Sequence, residues 1–124
     1  MTVPISDPRE LHRAFADAFN RRDVEALLTL YEPDAALVPQ PGRQVTGLAA
    51  IRTALEEFLT LKATLTVETH SVVVTPDVAL LQGEWTLRGT APDGSAIKMG
   101  GPEAEVLRRQ PDGSWRCIID NPMG

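Results

Sequence analysis

Few residues in this 124-residue chain combine reactive chemistry with a placement that could serve it, and most of them are acids. Glu84 and Glu103 lie inside long runs of strand-forming residues, and Asp120 closes the last run. A carboxyl group turned from such a strand into an apolar interior loses hydration, and its pKa climbs into the range where it gives or takes a proton near neutrality. Alternation decides which way each acid turns. Glu84 shares a face with Gln82, Thr86 and Arg88, while Trp85 and Leu87 form the apolar set, so Glu84 is expected outside. Glu103 follows Gly100-Gly101-Pro102, where a bulge can reverse the side a residue faces. Asp120 precedes Asn-Pro-Met-Gly; its carboxylate either enters a pocket, accepts backbone N–H bonds at a fraying strand end, or pairs with an arginine. Asp120 and Glu103 are the expected acid–base groups.

Tyr31, Trp85, His70 and Met99 are the expected ligand contacts, each with a plainer alternative. Tyr31 continues a helical stripe and can simply pack in the core with its hydroxyl bonded. Trp85, Met99 and Trp115 can be core residues, and His70 can face either a hollow or a partner subunit. His12 sits on the side of its helix opposite Leu11 and Phe15 and is expected in solvent. Arg108-Arg109 is too short for a nucleic-acid patch and is expected to pair with Glu103 or Glu105 across the sheet. His12, His70 and Cys117 show no zinc-ligand spacing, so neither a metal nor an organic cofactor is expected. Cys117, the single cysteine, cannot form an internal disulfide and reads as a small buried hydrophobe.

The elements that must position these groups are legible in the periodicity. Asp7-Pro8 opens a helix, with Asp7 as cap, Pro8 where its missing N–H costs nothing and Glu10 placed for a capping box. Leu11, Ala14, Phe15, Ala18 and Phe19 make one apolar stripe. Asp23 caps a second, shorter helix with Val24, Leu27, Leu28 and Tyr31 in register, ended at Glu32-Pro33. A short strand over Ala35 to Val38, a Pro39-Gln-Pro-Gly42 turn and a third helix capped by Thr46 follow, the last burying Leu48, Ile51, Leu55 and Phe58. Thr64–Thr75, Val78–Thr90, Ala96–Arg109 and Trp115–Asp120 then read as antiparallel strands joined by Pro-Asp and Pro-Asp-Gly-Ser turns. Thirteen extended residues span roughly 43 Å, more than the diameter of about 35 Å for a domain this long. The strands must therefore bend, at Gly83, Gly89 or Gly100-Gly101-Pro102. The class is α+β, three N-terminal helices on a strongly curved antiparallel sheet: a cone with a hollow.

Composition sets the outer limits. With 43% apolar and 23% charged residues, the chain is an ordinary globular one and is expected to form a single domain over residues 1–124. Seventeen acidic against twelve basic residues give a net charge of −5, which disfavours nucleic acid and anionic lipid as partners. Met1-Thr-Val-Pro-Ile-Ser lacks the pattern of an export signal and no apolar run is long enough to span a membrane, so a cytoplasmic protein is expected.

Three segments carry a resemblance. Phe15-Ala-Asp-Ala-Phe-Asn-Arg-Arg-Asp23, Leu27 to Leu37 and Gly47-Leu-Ala-Ala-Ile-Arg52 resemble the opening of ketosteroid-isomerase-like members of the nuclear transport factor 2-like superfamily. The ending, Glu105 to Arg116 followed by Ile119-Asp120, is similar to its SnoaL-like polyketide cyclase branch. The resemblance implies the cone fold and commonly a dimer through the outer sheet face, with activities that vary within it. Of the three catalytic groups of ketosteroid isomerase, the tyrosine aligns with Phe15 and the proton-shuttling aspartate with Pro39, or with Val38 or Gln40 after a one-residue slip. The second oxyanion donor falls near Glu103 or Ala104. Steroid isomerisation by that mechanism is therefore not expected. The expected function is binding of a small apolar or polyketide-like molecule in the cone, with cofactor-free isomerase, cyclase or hydratase chemistry at an interior carboxyl group. The alternative is a non-catalytic ligand-binding or association domain. A homodimer is expected because Val72-Val-Val74 and Arg116-Cys-Ile-Ile119 are apolar on both sides of their strands.

Overall fold

The computed structural model describes residues 4–124; Met1 to Val3, part of the segment read for an export signal, lie outside the described residues. The Asp7 carboxylate accepts the Arg9 N–H at 2.9 Å, and Pro8–Glu10 forms a single 3-10 turn leading into α1 (Leu11–Asn20). Glu10 makes no capping box: its side chain takes a bond from the Ser6 hydroxyl. Asp23 caps α2 (Val24–Leu28) by accepting the Ala26 N–H at 3.1 Å.

Tyr31 does not belong to α2. It opens β1 (Tyr31–Gln40), pairing with Cys117, while the neighbouring Leu30 carbonyl takes the Cys117 N–H at 2.7 Å. The three-residue step from Leu28 to Tyr31 imitates a helical stripe, but the pairing with Cys117 wins. Pro33, which cannot donate to a ladder, falls in the unpaired stretch between Tyr31 and Ala36. β1 is thus longer than the expected short strand. The turn at Pro41-Gly42 returns the chain as β2 (Arg43–Thr46), a strand the sequence reading omitted. Thr46 ends that strand rather than capping a helix; Gly47, with φ +90°, stands before α3 (Leu48–Leu59).

The next four strands fall close to their expected bounds: β3 (Thr64–Val74), β4 (Val78–Thr90), β5 (Ala96–Arg109) and β6 (Trp115–Asn121). The two Pro-Asp-Gly-Ser turns are built alike, each aspartate accepting both the N–H (2.9 Å) and the hydroxyl (2.6 Å) of the serine two residues on. The sheet order is β2-β1-β6-β5-β4-β3. Contrary to a wholly antiparallel arrangement, β1 and β6 run parallel, because β6 ends the meander by slotting between β5 and the free edge of β1.

Curvature comes from bulges, though not where the glycines suggested. The β4–β5 ladder runs unbroken past Gly89 and Gly100-Gly101-Pro102. The register slips instead at His70 in β3, opposite Gly83–Gln82, and at Ile118 in β6, opposite Leu107–Val106. Gly83 and Gly100 serve close approach: a Cβ would sit 2.2 Å from the Glu68 carbonyl oxygen at Gly83 and 2.3 Å from that of Trp85 at Gly100. On the concave face Leu65, Leu81, Leu87 and Leu107 join Leu11, Phe19 and Leu27 of the helices and Ile51 and Leu55 of α3 in one core. α1 lies over β3 and α3 over β1, leaving a hollow between helices and sheet.

Candidate active site

The hollow is a cavity of about 80 Å³, walled by Leu11, Phe15, Phe19, Phe58, Val67 and Leu87 among others. Its walls are apolar except at one pole, where His12, Tyr31, Glu103, Glu105 and Asp120 converge.

Each polar group arrives by a local rule. Glu103 and Glu105 are two apart on β5 and so share its concave face, opposite Gly83 and Leu81; ordinary alternation places Glu103 there without a bulge. Asp120 needs one. Trp115 and Cys117 are buried, so unbroken alternation would bury Ile119 and expose Asp120; the extra residue Ile118 reverses this, leaving Ile119 45% exposed and turning Asp120 inward beside Glu105. Tyr31 enters from the first position of β1, and its hydroxyl donates to Asp120 Oδ2 at 2.6 Å. His12 comes from α1.

His12 corrects the expectation of a solvated histidine: it is buried, because curved β3 wraps the flank of α1. Its Nε2 shares a short hydrogen bond with Glu105 Oε1, and its Nδ1 is hydrogen-bonded to the Thr69 hydroxyl at 2.6 Å. Glu103 Oε1 stands 3.2 Å from the same Nε2 yet has no hydrogen-bond partner.

Burial governs the protonation of the cluster. Loss of hydration, the proton shared with Glu105 and the charge of Glu105 push Glu103 up to about 9. Glu105 and Asp120 also move up, chiefly through burial; the Tyr31 hydroxyl works against the rise of Asp120. Burial lowers His12, against the pull of Glu103 and Asp120. It raises Tyr31 and Cys117 well above their ordinary ranges, so both stay protonated. Burial thus lets the carboxyl groups of the pole keep protons well above the ordinary carboxylate range, an arrangement suited to passing protons.

Not every expected residue joins it. Trp85 is a cavity wall, with its indole N–H donating to the Pro122 carbonyl at 2.7 Å. His70 does not reach the cavity: as the bulged residue of β3 it is exposed, with Nε2 3.5 Å from Glu68 Oε1. Met99, in the opening half of β5 beyond the helices, is 41% exposed and lines nothing. Trp115 is buried against Ile5, away from the cavity. Glu84 is exposed, as its polar neighbours indicate. The arginines leave Glu103 and Glu105 alone: Arg108 forms a bidentate pair with Glu32 of β1, at 2.9 and 3.2 Å. Sequence reasoning missed His12, Glu105 and Thr69 as site residues. The spacing of Glu103 and Glu105 was the available signal for the second acid; nothing in the helical stripe marked His12. The donor atoms of His12, Glu103 and Glu105 lie within 4.8 Å of one another, a set whose types also suit a divalent cation.

A curved sheet wrapped on three helices around an acid-bearing apolar cavity defines the cone fold of the nuclear transport factor 2-like class. The chain belongs to the SnoaL-like domain family, whose profile matches residues 12–118. Solved structures agree on the fold. A protein from Xanthomonas campestris named for a calcium/calmodulin-dependent protein kinase II association domain superposes with a TM-score of 0.79, at 23% identity over 93% of this chain and 84% of that one. A ketosteroid isomerase-like protein from Erwinia carotovora atroseptica gives 0.74 at 23% identity, with 90% of each chain covered. A nuclear transport factor 2-like protein with a cystatin-like fold from Novosphingobium aromaticivorans gives 0.76 at 18% identity, over 93% and 79%. None of the curated proteins matches the chain. At these identities the likeness concerns fold, and function must be argued from the cavity. Phe15 lines the cavity without a hydroxyl; the phenol of the cavity is that of Tyr31.

Proposed function

We propose that the cavity is a reaction site in which Asp120 exchanges a proton with a small, mainly apolar substrate, in an isomerisation, cyclisation or hydration. The observation that carries this reading is Asp120 itself: a buried carboxyl group at the end of an apolar cavity, held by the Tyr31 hydroxyl at 2.6 Å. Tyr31 fixes one oxygen and supports the charged form, burial supports the neutral form, and a group balanced between them can take a proton from carbon or oxygen and return it. Glu103 stands near as a second acid. The scheme needs no organic cofactor, and we place the protein in the cytoplasm; among the described residues no helix is long and apolar enough to cross a membrane.

A second reading, ligand binding or association without catalysis, is favoured by the convex face of the sheet. Val73, Leu80, Val106 and Ile119 are register partners across four strands and form one apolar row, with Val73 55% and Leu80 37% exposed. A homodimer through this face would cover the row. Dimerisation is compatible with either reading, so catalysis must be tested directly. Incubating the protein in D2O with a panel of single-ring ketones and 1,3-dicarbonyl compounds, and following C–H exchange by NMR, is the test. Catalysed exchange that Asp120→Asn abolishes while the fold persists supports proton transfer. Exchange at the uncatalysed rate for the whole panel, or unchanged in the variant, favours the binding reading.

A further inference from the structure

Among the described residues, the phenol, imidazole, hydroxyl, indole and thiol groups at the polar pole are all hydrogen-bonded within the protein. The Tyr31 hydroxyl donates to Asp120, the Trp85 indole to the Pro122 carbonyl and the Cys117 thiol to the Ile119 carbonyl, while the two ring nitrogens of His12 are taken up by Glu105 and the Thr69 hydroxyl. What remains is the Glu103 carboxyl. Glu103 Oε1 is buried without a partner, in a side chain only 8% exposed that lines the cavity. No arginine or lysine is among the described lining residues. The cavity therefore gathers three carboxyl groups with no cationic side chain to balance them, and the charge it lacks is positive.

We propose that the ligand of this cavity is an apolar amine, whose nitrogen meets Glu103 Oε1 and the adjoining Glu105 carboxyl. This rests on the cavity being the working site and adds the chemical class of its occupant. An anion brings no charge opposite to that of the three carboxyl groups and a carbonyl brings none at all, whereas a basic nitrogen can pair with one of them as a carboxylate. An alkylamine arrives already protonated at neutral pH: as it enters, an O–H bond of the Glu103–Glu105 pair breaks, that proton passes to solvent, and the ammonium is left against a carboxylate with the net charge of the site unchanged. The desolvated pair is strong because both partners are buried and hydrogen-bonded. The walls fit the rest of such a molecule. All three phenylalanines of the chain, Phe15, Phe19 and Phe58, line the cavity together with Trp85, and aromatic faces favour a nearby cation as well as an apolar body.

The test compares three probes with the same phenylethyl body and different heads, 2-phenylethylamine, n-propylbenzene and 3-phenylpropanoate, titrated into the full chain at pH 7 with binding read by NMR. The amine is expected to bind at least tenfold more tightly than the hydrocarbon, and the carboxylate more weakly than either. Glu103→Gln should remove the preference for the amine and leave hydrocarbon binding in place; Glu105→Gln serves if the first variant does not fold. Hydrocarbon or carboxylate binding as tight as the amine, or an amine preference that survives both glutamine variants, overturns the proposal while leaving the cavity as a binding site. Failure of all three probes to bind sinks the cavity reading as well. Stoichiometric Zn²⁺ or Mn²⁺ binding that the amine cannot displace and that His12→Ala abolishes would make the cluster a metal centre and also overturn it.

Discussion

Replacing Glu103 by glutamine should flatten the fall of stability with rising pH. In the folded chain the Glu103 carboxyl is held neutral up to about 9, whereas its ordinary value is 4.5. A raised folded pKa contributes stability that is complete below the unfolded value and is lost as pH rises through the folded one. Between pH 6 and 8 the native state keeps a proton that the unfolded chain has released, so stability declines by at most about 1.4 kcal/mol per pH unit from this group. Over the interval that is at most about 3 kcal/mol, and residual hydration of the side chain reduces it to about 1–3 kcal/mol. At roughly 3–5 °C per kcal/mol for a chain of this size, the melting temperature of the wild type should fall by on the order of 5–10 °C. Glutamine has the same shape and no proton to lose, so the variant should show a shallower slope. Thermal melts by circular dichroism at half-unit pH steps measure both. A wild-type melting temperature that is flat or rises from pH 6 to 8, or an equal slope in the variant, would refute the reasoning.

Other expectations follow from the same geometry. Burial lowers the His12 pKa, so its stabilising contribution is present above the ordinary 6.5 and lost as pH falls through the lowered value; melts should therefore peak in mildly acid solution and decline on further acidification, and His12→Gln should blunt the acid limb. Tyr31→Phe removes the donor to Asp120 and should cost about 1–3 kcal/mol in urea unfolding, while moving the Asp120 pKa further up. Gly83→Ala would place a methyl group 2.2 Å from the Glu68 carbonyl oxygen, forcing β3 and β4 apart, and should cost about 2 kcal/mol or more. If the convex row is a dimer interface, sedimentation of the wild type should give a dimer and Leu80→Glu a folded monomer; a wild-type monomer at micromolar concentration would contradict it.

The sheet was far more legible than the site. Runs of Val, Thr, Leu and Ile bounded by Pro-Asp-Gly-Ser turns place β4 and β5 at their observed limits, because turn chemistry and strand propensity act locally. Tyr31 was misassigned to a helix because three residues from Leu28 is a helical step, and only its pairing with Cys117, distant in sequence, decides otherwise. The inward turn of Asp120 depends on a one-residue bulge at Ile118, which ordinary alternation through Trp115 and Cys117 argues against. The same device at His70 takes that residue out of the site. The expected pairing of Arg108-Arg109 with Glu103 or Glu105 fails because strand order is not legible in the sequence; with β6 and β1 beside β5, Glu32 is the acid that Arg108 reaches. His12 carries no pattern of its own, since a stripe analysis treats everything off the apolar face as solvent-facing and cannot see a sheet curving round to cover it.

The central claim is that His12, Glu103, Glu105 and Asp120 share one desolvated pole at which protons are held and passed. Its most direct test is carboxyl titration by NMR on protein labelled with 13C at the Asp and Glu carboxyl carbons, assigned through Glu103→Gln, Glu105→Gln and Asp120→Asn. The account predicts that Glu103 titrates highest, near 9, with Glu105 and Asp120 also displaced upward and each curve altered when a neighbour is replaced. Titration of all three below pH 5, independently of one another, would contradict it.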